Sequence, residues 1–246
     1  MNDLLVVNIG NTRTQVGVWR SRAVHDMFMM PTAVLQQGAP CPAAIARYSN
    51  LSCSVASVVP AATERLCEVF PANRICVVSP EHIVDVDFSA VRAATVGADR
   101  LANIVAGLHM LPPPVIVLDC GTAITLEVVD SRRRFLGGAI LPGREMMRRA
   151  LSAQTAQLPY VPLTHLEPDA VGNDTIRAIC SGVDSGVLGA VERLVARTRA
   201  DLSAPDVPVI AAGGDARYFK KAFPSFVEAS ETFTLIGVGL IGQACL

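Results

Sequence analysis

The sequence predicts an α/β protein made of two similar halves, and three observations carry that prediction. Apolar runs of strand length alternate with segments of helical period. The layout of Leu4–Trp19, LLVVNIGNTRTQVGVW, returns at Val115–Asp130, VIVLDCGTAITLEVVD. Between them stand three consecutive prolines, Pro112, Pro113 and Pro114, where a helix must stop. The expected domains are residues 1–112 and 113–246.

The elements follow in order. Leu4–Ile9 reads as a buried strand closed by a Gly10-Asn11-Thr12 turn, and Thr14–Trp19 as its hairpin partner. Cys53–Pro60 is a core strand ended by Pro60. Ala62–Phe70 has helical spacing with Thr63 as cap, and Arg74–Ser79 is a further strand. A helix starts near Ala98, with Leu101, Ile104, Val105 and Leu108 on one face. Past the prolines the unit repeats: four apolar residues, then Asn8 or Asp119, one residue, Gly10 or Gly121, a polar turn with Thr, and an alternating strand. Phe135–Gly143 is a strand entering a glycine-rich loop, and Arg144–Leu158 a helix. Asn173–Leu202 is a long helix or helix pair capped by Asn173 or Asp174. Its Gly182, Gly186 and Gly189 are expected at close packing. Pro208–Phe223 is a strand, a double-glycine turn and a helix, and an apolar helix closes the chain.

The chain has 246 residues and a net charge of -1, so nothing in its balance points to nucleic acid or an anionic membrane surface. No basic stripe or helix-turn-helix is visible, nor an apolar run long enough for a membrane span. The start, MNDLLVVNIGNTR, lacks the form of a signal peptide. Cys41, Cys53, Cys67, Cys76, Cys120, Cys180 and Cys245 are scattered, odd in number, and show no zinc spacing. They read as free thiols of a reducing, cytoplasmic compartment. His25, His82, His109 and His165 are isolated and read as surface or satisfied core residues.

The glycine turns carry the chemistry. Phosphate oxygens accept bonds from backbone N–H groups only where the chain can approach closely, and glycine allows that approach and positive φ. A carboxylate at a strand end holds a cation that neutralises the phosphate. An ordinary hairpin explains either turn alone. With the Gly213-Gly214-Asp215 turn between a strand and a helix, the set resembles the phosphate-binding hairpins of the actin-like ATPase, sugar-kinase and heat-shock superfamily. That resemblance implies two ribonuclease H-like domains around an interdomain cleft. Neither a Walker GxxxxGK[ST] nor a kinase GxGxxG is present.

The motifs GNT, SVVP (57–60), GADR (97–100), DCGTAIT (119–125), GGAILPG (137–143), NDTIRAICSG (173–182) and AAGGDA (211–216) occur in order. Together they resemble the type III pantothenate kinases over nearly the whole chain, with GADR and DxGTAxT the most specific pair. The resemblance implies that Asn8, Ile9, Gly10, Asn11, Thr12, Arg13, Thr14 and Gln15 contact ATP, together with Thr122, Gly213 and Gly214. It implies that Gly97, Ala98, Asp99, Arg100 and Thr175 bind pantothenate, with Asp99 the catalytic base. Asp119 matches a ligand of a monovalent cation, potassium or ammonium. The implied protein is a cytoplasmic homodimer that uses Mg-ATP and pantothenate to make 4'-phosphopantothenate, with no nucleic-acid or membrane partner. Asp99, at a helix start beside Arg100, is expected to stay ionised. Two positions depart from the family pattern. Asn8 stands where Asp is usual, removing a charge from the metal shell. Ala90 stands where a Tyr is common, with Phe88 the nearest aromatic. Two alternatives stay open: a weakened homologue acting as a nucleotide-binding or regulatory protein, and a kinase for another acceptor such as a sugar.

Overall fold

The computed structural model describes residues 3–36, 41–163 and 169–246; His165 lies outside them. In the first part of the chain β1 (Leu4–Ile9), β2 (Arg13–Arg20) and β3 (Ala23–Pro31) run as a meander. Two single-turn helices follow, α1 (Ala33–Gln36) and α2 (Ala43–Ala46), then β4 (Ser52–Ser57), α3 (Pro60–Cys67), β5 (Ile75–Val77) and α4 (Ala98–Met110). The second part holds β6 (Val115–Cys120), β7 (Ala123–Val129), β8 (Phe135–Pro142), α5 (Arg144–Gln154), α6 (Thr175–Asp201), β9 (Val209–Ala212), α7 (Ala216–Ala222) and β10 (Val227–Glu228). The chain closes with α8 (Phe233–Cys245).

The strands form two five-stranded sheets, ordered β3-β2-β1-β4-β5 and β10-β9-β6-β7-β8. Read from β6 outward the second order is that of the first: a meander on one side of the opening strand and the crossover strands on the other. β1 pairs in parallel with β4, and β6 with β9. The strands that share a sequence layout therefore hold the same sheet positions. They are apolar because both faces are covered: Leu5, Val6, Val7, Ile116, Val117 and Leu118 have no exposed surface.

By contacts the chain forms two compact units. One comprises residues 1–115, 129–137 and 230–246, the other 116–128 and 138–229. In the first, α8 packs on α4, β1 and β4, bringing the end of the chain onto the opening sheet. In the second, Val187, Val191 and Val195 of α6 join Ile116, Leu118, Val209 and Phe219 in one core.

Several elements differ from expectation. The strand at Cys53 ends at Ser57, because Pro60 opens α3 rather than closing the strand. Thr63 is therefore inside α3, where its hydroxyl donates to the Val59 carbonyl, and it does not cap. Strand β3 has no alternating pattern, being an edge strand with a bulge, and Ser21 and Arg22 make its turn with positive φ and no glycine. The segment expected as a helix or helix pair holds one helix, α6, capped by Asp174, whose Oδ1 accepts the Arg177 N–H at 2.8 Å. Gly182, Gly186 and Gly189 face open space, not close packing.

Candidate active site

The β1–β2 hairpin is built for a close backbone turn. The Gly10 N–H donates to the Arg13 carbonyl at 3.0 Å, and the Thr32 hydroxyl donates to the Gly10 carbonyl at 2.7 Å. Thr32 is buried and also meets the buried Thr14 hydroxyl at 3.1 Å, so the residue that follows β3 anchors the turn from behind. Asn11, Thr12 and Arg13 are exposed at its tip. Ile9 is packed in the core, leaving only its backbone for a ligand. Asn8 Nδ2 donates to Gln15 Oε1 at 3.1 Å, and Gln15 Nε2 to the Glu231 carbonyl at 3.3 Å. That chain fixes the amide of Asn8 and leaves its Oδ1, buried, without a hydrogen-bond partner among the described residues. Neither Gly10 nor Gly121 takes a positive φ; of the turn glycines expected to hold phosphate, only Gly213 does, at 86°.

At the start of α4, Gly97 is the N-cap and Asp99 lies in the first turn. Asp99 Oδ1 accepts the Arg100 N–H at 2.8 Å, which folds the carboxylate back over the helix start. A Cβ at Gly97 would lie 2.6 Å from that oxygen, so the close approach requires glycine. Ala98 is buried beneath the turn. Burial pushes the Asp99 carboxyl above its ordinary value, against the lowering effect of the Arg100 N–H and guanidinium. The direction is opposite to that expected from the helix start and Arg100, because desolvation outweighs both. The Arg100 guanidinium lies 6.0 Å from the ring centre of Phe135, whose ring meets that of Phe88 edge-on at 6.0 Å. Ala90 is exposed.

In the second unit three loops gather at the end of β6, where Asp119 is the penultimate residue. At Gly213 an added Cβ would lie 2.5 Å from Asp119 Oδ1 and 2.7 Å from the Cys120 carbonyl. The Asp215 N–H donates to that carbonyl at 3.0 Å, tying the β9–α7 turn to the β6–β7 turn. The Gly143 N–H, at the start of α5, donates to the Thr122 carbonyl at 3.0 Å. Asp119, Thr122, Gly213 and Gly214 are thus brought together, with Thr122 and both glycines exposed. Thr175 is exposed on the first turn of α6. Burial, then the charges of Asp119, Asp215 and Glu127, push the Cys120 thiol far up, consistent with a packed residue rather than a nucleophile.

A buried ion network supports these loops, and the sequence reading missed it. Asp184 on α6 accepts from Arg144 Nε at 2.9 Å and from Arg148 Nη2 at 2.8 Å, with all three side chains almost fully enclosed. Arg144 Nη1 also lies 3.5 Å from Asp215 Oδ2, and its guanidinium stacks 3.6 Å from the Tyr218 ring centre. Burial, followed by Asp184, pushes the Tyr218 phenol up to about 12. The only hint in sequence was an arginine directly after the Gly143 turn.

Two mixed sheets of one strand order, each with a glycine hairpin after its opening strand, define an α/β protein with the actin-like fold. Its structural likeness extends to a conserved Baf family protein from Campylobacter jejuni, at a TM-score of 0.66 and 19% identity over 97% of each chain. (R)-2-hydroxyglutaryl-CoA dehydratase component A from Acidaminococcus fermentans gives 0.57 at 10% identity over 100% of both. Residues 4–197 match the family model for type III pantothenate kinase. The type III pantothenate kinase of Parafrankia sp. (strain EAN1pec) is 35% identical over 251 residues, covering 97% of this chain and 96% of that one. The chain belongs to the type III pantothenate kinase family.

Proposed function

We propose that this protein transfers the γ-phosphoryl group of ATP to the primary hydroxyl of pantothenate, giving 4'-phosphopantothenate and ADP, the first step toward coenzyme A. The observation that carries the reading is the Asp99 turn: a carboxylate with raised pKa, folded against Gly97 at a helix start, in the GADR motif of a family member. The pantothenate oxygen attacks the γ-phosphorus, the bond from phosphorus to the β,γ-bridging oxygen breaks, and Asp99 takes the hydroxyl proton. Arg100 positions the acceptor together with Gly97, Ala98 and Thr175. The buried Phe135 ring backs the Arg100 guanidinium, and the half-buried Phe88, edge-on to Phe135, supplies the apolar surface in place of the tyrosine that the family pattern sets at position 90.

Asn8–Gln15, Thr122, Gly213 and Gly214 contact ATP through backbone N–H groups and hydroxyls. The donor atoms offered to cations are hard oxygens: the buried Asn8 Oδ1 and the Asp119 carboxylate under Gly213. Such oxygens fit Mg²⁺ and a monovalent cation and do not favour soft metals. Asn8 would help hold magnesium, and Asp119 potassium or ammonium. When bound, these ions neutralise charge on the phosphate oxygens. A homodimer in the cytoplasm, with no nucleic acid or membrane partner, completes the reading. No helix among the described residues is long and apolar enough to cross a membrane.

The test is one assay: purified protein with pantothenate, ATP, Mg²⁺ and K⁺, followed by mass detection of phosphopantothenate. Product is expected. Its persistent absence across metals and at high ATP overturns the assignment.

A further inference from the structure

Cys76 and His82 stand six residues apart and Cys245 lies far along the chain, yet the fold brings all three together. Cys76 is the central residue of β5 and is buried; His82 ends a 3-10 turn at Pro80–His82; Cys245 is the last residue of α8 and is exposed. Their Sγ, ring nitrogen and Sγ atoms all lie within 4.8 Å of one another, with Cys76 Sγ 3.8 Å from His82 Nδ1. Around a tetrahedral zinc, with bonds of about 2.3 Å to sulfur and about 2.0 Å to nitrogen, such atoms are separated by roughly 3.6–3.8 Å. The cluster needs only a small contraction to reach that geometry.

Two sulfurs and an imidazole select a borderline-soft divalent cation and disfavour magnesium or calcium, which need oxygen. Ser79 Oγ lies 3.0 Å from His82 Nδ1, the nitrogen that faces Cys76, and must release it when that nitrogen takes the metal. Three protein ligands leave one coordination position for water. None of the three belongs to the residues assigned above to ATP, pantothenate or their cations.

We propose that Cys76, His82 and Cys245 form a zinc-class metal site that fastens the end of α8 to β5 and the 80–82 turn. Because α8 also packs on α4, β1 and β4, the metal ties together the layer that carries the Asp99 helix.

The experiment uses the full chain, reduced and stripped of metal, titrated with Co²⁺ and then Zn²⁺. Expected are one equivalent of Co²⁺ with thiolate-to-metal charge-transfer and tetrahedral ligand-field bands, displacement of that spectrum by Zn²⁺, and a higher Tm with Zn²⁺. His82→Gln and Cys245→Ser, both outside the core, should each weaken binding by about tenfold or more. Cys67→Ser, an exposed cysteine on α3, should leave it unchanged. Cys76→Ser is a secondary variant, since its buried position can disturb folding. The proposal is overturned if the wild-type protein gives no thiolate band. It is equally overturned if His82→Gln and Cys245→Ser bind as wild type, or if reductant-free protein holds a Cys76–Cys245 disulfide and the reduced form takes up no cobalt. Kinase activity plays no part in this readout, so failure of the phosphoryl-transfer reading is distinguishable from failure of the metal site.

Discussion

Asp99 is a carboxylate whose environment costs it stability and gives it basicity. Burial raises its pKa, so its favourable contribution to folding is largest below the ordinary carboxylate value and is lost as pH rises through the raised one. At neutral pH the buried anion is a net cost. Asp99→Asn should therefore lower kcat by about 10²–10⁴-fold while Tm at neutral pH holds or rises; near wild-type kcat would remove it as the base. The same shift moves the acid limb of kcat/KM above the ordinary aspartate value, with activity falling as pH drops through it. Gly97→Ala isolates geometry from charge. The new methyl meets only the Asp99 carboxylate end and the Val58 side chain, so the carboxylate swings aside and the backbone stays. Activity should drop by roughly tenfold or more with little change in Tm. At Asn8 the orphaned Oδ1 marks where an aspartate would put its charge. Asn8→Asp should raise kcat by up to about tenfold, offset in part because Gln15 must turn its amide away from Glu231 to meet the new oxygen. An unchanged rate in a magnesium titration means another group already supplies that charge.

The elements explain why some of this could be read from sequence. Strands β1 and β6, their glycine turns and the first turn of α4 were legible because each rests on local rules: an apolar run, a turn residue, a helix start. The Gly213 turn was legible as a turn, but not its purpose. Its positive φ lets the chain pass against Asp119 and the Cys120 carbonyl, which only the folded register of β6 beside β9 reveals. Gly213→Ala should cost about 1–3 kcal/mol from backbone conformation alone, and should also push Asp119 off its place. A denaturant series separates the two: a lower midpoint with unchanged potassium dependence would leave Asp119 undisturbed, contrary to expectation. Edge strand β3 and the Arg144–Asp184–Arg148 network were hidden for a related reason. One follows from pairing to β2 rather than from its own pattern, and the other joins residues 36 to 40 positions apart.

For the whole molecule, the decisive fact is that the chain ends where it began. Helix α8 returns to the unit that holds β1, β4 and α4, and glycines make the contact. A Cβ at Gly237 would overlap the backbone of Ala102 on α4, whereas Gly186 on α6 faces open space. Both are helical glycines, and intrinsic propensity alone makes alanine better at either by about 0.5–1 kcal/mol. Packing separates them. Gly186→Ala should raise stability by about that amount. Gly237→Ala must move α8 off α4, because backbone cannot turn aside as a side chain does, and overpacking of this kind costs about 1–3 kcal/mol. At roughly 2–4 °C per kcal/mol for a chain of this size, Tm should rise by a few degrees in the first variant and fall in the second. Because α4 carries Asp99, the second should also lose activity at temperatures where it remains folded. If both variants gained Tm, α8 would be a loosely apposed tail, and the Asp99 helix would owe its position to other contacts.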